Sequence, residues 1–376
     1  MKKTVLVFCF FWIFLGLAAS LSGTSQESKN NMDSIIKVLK GNKIDFYVFS
    51  NDQGGKFLVV PKYGARILAA EVGGDNLFWV HPDALTGQGG QRSWISPEGG
   101  AKGFIFKPDW QGNRDFFMMD PGKYRIVHQE SGQKIELVNR FQNHSNDEKE
   151  HYDLSLTRKI GLLEDPLKKD QDFTGAEYFF LGIDFEHCLK NFSSDTLDRI
   201  LALWNLIQIP PGGTMVVPVK EVTSNAWRAN YFEPIPKEYV RNNPDSISFF
   251  IDGSRRYKVG IRPESASGVI AYINKISEGD FMLVFMTFPV KPDFPYTDRP
   301  KTEQNTNGDA IQLYSHLEKG PLAFGELECQ SWGLDLKPGS EESFPVKIYL
   351  YRGDISILKK IGKRLVCAGF DKAYLY

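Results

Sequence analysis

The sequence predicts an all-β protein, a large sandwich of mainly antiparallel strands, and three observations carry that prediction. Ten short segments keep an apolar period of two, the alternation of a strand with one buried face. Turn-rich stretches separate them, in a chain with 34 glycines and 20 prolines among its 376 residues. Aromatic residues make up 13% of the chain, which suits pleated, half-buried surfaces.

The chain opens MKKTVLVFCFFWIFLGLAAS: two lysines, an apolar run from Val5 to Ala19, then small residues. This predicts an export signal over residues 1–22, cleaved near residues 20 to 25, because the run is short for a membrane span. No Cys follows the run at a lipidation position. The mature chain is therefore expected in the periplasm or outside the cell. Residues 23–44 read as a polar tether, SGTSQESKNN, and a short helix, MDSIIKVLKGN, closed by Gly41.

Next come the strands: Phe57 to Val60, Ala65 to Val72, Lys134 to Val138, Tyr152 to Thr157 and Ile183 to Leu189. The later ones are Ser246 to Ile251, Lys258 to Ile261, Val269 to Ile273, Met282 to Phe288 and Val346 to Tyr351. NHSNDEKEH, EDPLKKDQD and TDRPKTEQNTNGD carry no apolar period and are expected as surface loops. DTLDRILALWNLIQIPPGG fits two periods, since Leu197, Ile200, Leu201 and Trp204 suit a helix while Ile200, Ala202, Trp204 and Leu206 suit a strand. No internal repeat or domain boundary interrupts residues 45–352, and residues 353–376 form a C-terminal extension.

Composition excludes several classes. Removing Lys2 and Lys3 with the signal takes the formal charge from −1 to −3, so no nucleic acid and no anionic membrane is expected as a partner. Cys188, Cys329 and Cys367 remain, at spacings that match no zinc framework and allow one disulfide at most. There is no phosphate loop, no GxGxxG, no HExxH and no GxSxG. No cofactor and no metal centre is expected.

Two stretches carry candidate chemistry. GGQRSWISPEGG, residues 89 to 100, sets Arg92, Trp94 and Glu98 between glycine pairs. A guanidinium fork, a flat ring and a carboxylate are what a sugar's hydroxyls and C–H face call for. The plainer reading is a structured loop with an Arg–Glu pair and a core Trp. FGELECQSW, residues 324 to 332, sets Glu326, Glu328 and Gln330 on one strand face with Phe324. A solvated face is the common fate of such a row, but the aromatic neighbours and the amide favour a polar groove. Among the histidines, His187 lies on a strand face with Ile183, Phe185 and Leu189, the setting of a core histidine. His81 and His316 stand in aromatic surroundings, and His128, His144 and His151 are expected at the surface.

In order along the chain, VVPKYGARILAAEVGGDNLFWVHP, GGQRSWISPEGG, LKNFSSDTLDRILALWNL, LECQSW and LKPGSEESFPVKIYLY resemble successive segments of the galactose mutarotase-like (aldose 1-epimerase-like) superfamily, most closely its uncharacterised secreted bacterial branch. The resemblance implies a β-supersandwich over residues 45–352 and a mono- or oligosaccharide bound on its concave side. LECQSW is similar to the stretch that carries the catalytic base, which implies Glu328 as general base and Gln330 as the glutamine after it. A mutarotase base takes the anomeric proton while an acid protonates the ring oxygen. The family's acid is a histidine of the middle segment, where this chain reads ALWNL, with Trp204 and Asn205 at the aromatic and asparagine positions. His81, His187, His316 and Glu98 are the candidates to replace it. The resemblance thus implies catalytic Glu328 with His187 or His316, and sugar contacts from Arg92, Trp94, Glu98, Trp204, Asn205, Glu326 and Gln330. Three alternatives stand beside an epimerase: a sugar-binding protein without chemistry, a glycosidase using Glu98 and Glu328, and a structural envelope protein with a filled groove.

Overall fold

The computed structural model describes residues 31–97, 101–103, 118–318 and 320–372. The expected export signal and Glu98 lie outside these residues. Alternation of apolar residues drives the chain into two ten-stranded antiparallel sheets that share one apolar core. The first, the site sheet, runs Tyr47–Ser50, Gly55–Val60, Arg66–Val72, Gln91–Ser96, Ala202–Ile209, Phe324–Gln330, Ile311–His316, Tyr257–Ile261, Trp227–Arg228, with Asp75–Asn76 paired to Arg66–Val72. The second, the backing sheet, runs Val240–Asn242, Ser246–Ile251, Gly213–Pro218, Val269–Ser277, Asp280–Thr287, Glu341–Gly353, Phe179–Asn191, His151–Leu163, Lys134–His144, Arg125–Glu130.

Every predicted strand is present, and several are longer than the period alone indicates. Phe179–Asn191 and Glu341–Gly353 are 13 residues each and pair over nearly their whole length. The ambiguous segment is strand: Ala202–Ile209 is buried throughout. A helix would have exposed one side, whereas here both faces are covered. A correction concerns GGQRSWISPEGG. Residues Gln91–Ser96 form a strand, not a loop, because they pair with Ala202–Ile209 from Ile207↔Gln91 to Ala202↔Ser96.

The site sheet's inner side contributes Ile67, Leu203, Ile207, Leu313, Leu327 and Cys329 to the core, against Leu156, Ile160, Ile183, Phe185, Val284 and Ile348 of the backing sheet. Its outer side is covered at one end by the predicted helix, Met32–Gly41. Asn31 caps that helix by accepting from the Ser34 amide at 2.8 Å, and Met32, Ile35 and Leu39 pack on Leu58, Val60 and Leu68. The C-terminal extension forms the helix Ile355–Leu365, whose Leu358 and Ile361 cover the outer side of the backing sheet at Phe285 and Tyr351. Gly362 is required there, since a Cβ would overlap the Phe370 ring. Cys188, Cys329 and Cys367 are free thiols. No described helix is long and apolar enough to cross a membrane.

Candidate functional site

Beyond the Met32–Gly41 helix, the outer side of the site sheet carries the polar row read from the sequence. Strand register builds it: Glu326 lies between Gln208 and Tyr314, Glu328 between Leu206 and Gln312, and Gln330 opposite Trp204. The next strands add Arg92 and Trp94 on one side and Lys258 on the other.

The middle of this face is closed. Glu328 is 0% exposed, and its Oε2 accepts from the Trp204 indole Nε1 and from Lys258 Nζ, both at 3.0 Å. The Lys258 ammonium also lies 4.7 Å from the centre of the Trp204 ring and 5.5 Å from that of Tyr231. A buried carboxylate with an ammonium against it is a matched pair, in which each charge offsets the other's desolvation. Glu326 is held in the same way. Its Oε1 accepts from Arg92 Nη2 at 2.7 Å and Gln208 Nε2 at 2.9 Å.

Gln330 and Gln312 form a second network beside these pairs. Gln330 accepts from Ser96 Oγ at 2.9 Å and donates to Gln312 Oε1 at 2.9 Å; Gln312 donates to Asp298 at 2.7 Å and to the Tyr231 hydroxyl at 2.8 Å. Arg228 closes the far end. Its guanidinium donates to Asp309 Oδ2 at 3.0 Å, Glu303 at 2.6 Å, Thr306 at 2.8 Å and the Asn307 carbonyl at 2.7 Å, and its Nη2 stands 2.8 Å from Asp309 Oδ1 as an ion pair. Gly260 makes this possible, because a Cβ there would overlap the Asp309 carboxylate. Burial pushes Asp309 up to about 6, against the pull of Arg228. The segment TDRPKTEQNTNGD is thus corrected in part: expected as a surface loop, it brings Thr297, Asp298 and Asp309 into burial, since Arg228 gathers its carboxylates and one of its carbonyls.

Trp94 is 6% exposed and enclosed. Its indole donates to Asp120 at 2.7 Å, the Arg92 guanidinium lies 4.0 Å over its ring, and Trp204 meets it edge-on at 5.4 Å. Arg66 pairs with Asp120 at 2.9 Å. Burial alone would raise the Asp120 pKa; the Arg66 charge, the Trp94 hydrogen bond and the Arg92 and Arg158 charges together outweigh it and hold the carboxyl below its usual range.

The remaining candidates separate. Asn205 points to the opposite side of its strand from Trp204, between the sheets, where it accepts from Ser93 Oγ at 2.6 Å and Gln91 Nε2 at 3.4 Å. His187 is also between the sheets, fully buried opposite Arg158 and Phe344, with both ring nitrogens lacking a hydrogen-bond partner. Burial, then the Arg158 charge, lowers its pKa well below the ordinary value. His316 is on the Glu326 side, opposite Phe324 and four residues along the strand from Glu328, roughly 13 Å away at strand rise. The group that does meet Glu328 is Lys258, which the periodicity passed over. Its signal was a lone lysine in the apolar strand YKVGI, on the side opposite Val259 and Ile261.

Toward the Phe324 end the face opens. Trp79, Phe324, His316, Tyr314 and Phe232 follow one another with ring centres 4.7, 4.4, 5.9 and 5.7 Å apart, and His81 adjoins Trp79 at 6.1 Å. Phe324, His316 and Tyr314 are half-buried, and Phe232 is exposed. The row is fixed in place: Trp79 donates to the Pro321 carbonyl at 2.9 Å, and the Tyr314 hydroxyl meets His316 Nδ1 at 3.0 Å. Burial lowers the His316 pKa, with Glu326 opposing. A shallow cavity of 590 Å³ lined by Pro166, Lys169, Asp170, Gln171, Asp172 and Arg364 shares no residue with this face. Among the described residues no group of three or more His, Cys, Asp or Glu side chains forms a metal site.

A family of unknown function, DUF6786, matches residues 31–372. No curated protein matches the chain. Among solved structures, the Slr1438 protein from Synechocystis sp. PCC 6803 is similar at 11% identity, over 83% of this chain and 96% of that one, with a TM-score of 0.50. A putative aldose 1-epimerase from Escherichia coli K12 is similar at 12% identity, over 83% and 100%, with a TM-score of 0.49. A galactose 1-epimerase from Lactobacillus acidophilus NCFM is similar at 10% identity, over 82% and 99%, with a TM-score of 0.40. Likeness at such identity speaks to the fold alone, which this chain shares with the Slr1438 protein.

Proposed function

This chain belongs to the family of unknown function DUF6786, and on that premise we propose that it is an exported carbohydrate-binding protein, which takes a saccharide on the aromatic row at the open end of the site sheet. The observation that carries this reading is the row itself. Phe324, His316, Tyr314 and Phe232 are half-buried or exposed and present aromatic surface along the open end, with the half-buried Arg92 alongside as a hydrogen-bonding group. Sugars offer a C–H face to such rings and vicinal hydroxyls to such a group. Export rests on the N-terminal pattern.

Binding without chemistry follows from the state of Glu328. A mutarotase base must reach the anomeric hydroxyl while an acid reaches the ring oxygen. Glu328 is fully buried against Trp204 and Lys258, and neither His187 nor His316 lies beside it. One observation favours a second reading, anomer interconversion with Lys258 as the acid: its ammonium stands 3.0 Å from the carboxylate. That reading requires the pair to part when a sugar arrives, at the cost of two uncompensated buried charges.

Calorimetric titration of the mature protein with a panel of mono- and oligosaccharides tests the binding reading. At least one saccharide should bind, and Phe324→Ala should weaken it by about 1 kcal/mol, roughly fivefold. No binding across the panel, or full affinity in the variant, contradicts it.

A further inference from the structure

Four cations on the outer side of the site sheet are matched to carboxylates, and among the described residues Arg256 is not. Arg66 meets Asp120, Arg92 meets Glu326, Lys258 meets Glu328, and Arg228 meets Asp309 and Glu303. Arg256 makes no ion pair among the described residues. It sits immediately before the Tyr257–Ile261 strand, on the same side as Lys258 by alternation, and is exposed.

This arginine is nonetheless held in place. Its guanidinium lies 4.0 Å over the Phe232 ring, and Nε donates to the Tyr314 hydroxyl at 3.1 Å. Both contacts are to members of the aromatic row. Stacking fixes the plane of the fork and the Nε bond fixes its direction, which leaves the two terminal NH2 groups for a ligand. Glu326 is already engaged by Arg92 and Gln208, and Glu318, whose charge acts at His316, makes no ion pair with Arg256. A planar fork with two parallel donors at the end of a stacking surface fits an oxyanion carried by a stacked ring.

We infer that the saccharide bound on this row is acidic, carrying a carboxylate or a sulfate ester, and that Arg256 receives that group while the sugar rings lie along Phe324, Tyr314 and Phe232. This rests on the carbohydrate-binding reading above and adds the chemical class of the ligand and the residue that selects it.

The test is calorimetry with uronate trisaccharides (galacturonate, mannuronate and glucuronate types), each beside its uncharged methyl ester, together with a sulfated trisaccharide. At least one anionic form should bind about tenfold tighter than its neutral counterpart. Arg256→Gln should bring the two within about twofold, and Arg256→Lys should recover only part of the difference, since lysine lacks the fork. Preference for the sulfated form over every uronate identifies the group as a sulfate ester, and the reverse identifies a carboxylate. Equal binding of charged and neutral forms, or a preference that survives in Arg256→Gln, overturns the inference and leaves the carbohydrate reading intact. Binding of neither form overturns both.

Discussion

Two ends of one strand have opposite fates. At one end Glu328 is sealed, with an indole and an ammonium on its carboxylate; four residues away, Phe324 is half open and starts a row of accessible rings. Both belong to the same alternation on the same side of Phe324–Gln330. What differs is the cover that neighbouring segments supply. Lys258, Arg228 and the carboxylates of residues 297–309 close over the sealed end, while rings and Arg256 border the other. The sealed end reads as a stabilising network and the open end as a recognition surface. A row of carboxylates on a strand is therefore no measure of reactivity until the cations opposite it are known.

The sharpest way to break this contrast is Lys258→Met. It leaves Glu328 charged and buried without its ammonium, and should cost about 3 to 5 kcal/mol in urea unfolding. The double change Lys258→Met with Glu328→Leu should recover most of that loss. A single-variant cost under about 1 kcal/mol would mean that the sealed end is wet and that the contrast is false.

Asp309 offers a test of similar kind and smaller size. Its folded pKa is raised from 3.8 to about 6, so the folded state binds the proton more tightly than the unfolded chain. Its contribution to stability is fully present below pH 3.8 and is lost as pH rises through about 6, on the order of 3 kcal/mol in total. Asp309→Asn should flatten the stability profile across that window. An unchanged slope would place the titrating group elsewhere.

At the open end the expectation reverses. Arg256→Gln, which should remove discrimination between acidic and neutral saccharides, should shift the unfolding free energy by no more than about 0.5 kcal/mol, as befits an exposed side chain. A larger loss would make Arg256 part of the structural network.

The sequence disclosed the faces and not the neighbours. Period-two alternation was enough to place Glu326, Glu328 and Gln330 on one side with Phe324, and apolar Ile183, Phe185 and Leu189 marked His187 as interior. Parity also carries a lesson for Trp204 and Asn205. Adjacent residues of a strand face opposite ways, so once ALWNL is strand only one of them reaches the outer side. Strand order was beyond reach, because Glu328 meets a lysine 70 residues away through a sheet whose sequence-distant strands lie side by side. The same holds for Arg228 and Asp309, 81 residues apart. Arg92 finds a carboxylate in Glu326, 234 residues on.

The most direct test of the account is NMR exchange between α and β anomers of free hexoses, pentoses and uronic acids, with the mature protein and with Glu328→Gln. A closed Glu328–Lys258 pair predicts saccharide signals broadened or shifted by the protein, with interconversion no faster than in buffer and identical in the two proteins. Acceleration by the native protein that disappears in Glu328→Gln would contradict it and make Glu328 a working base.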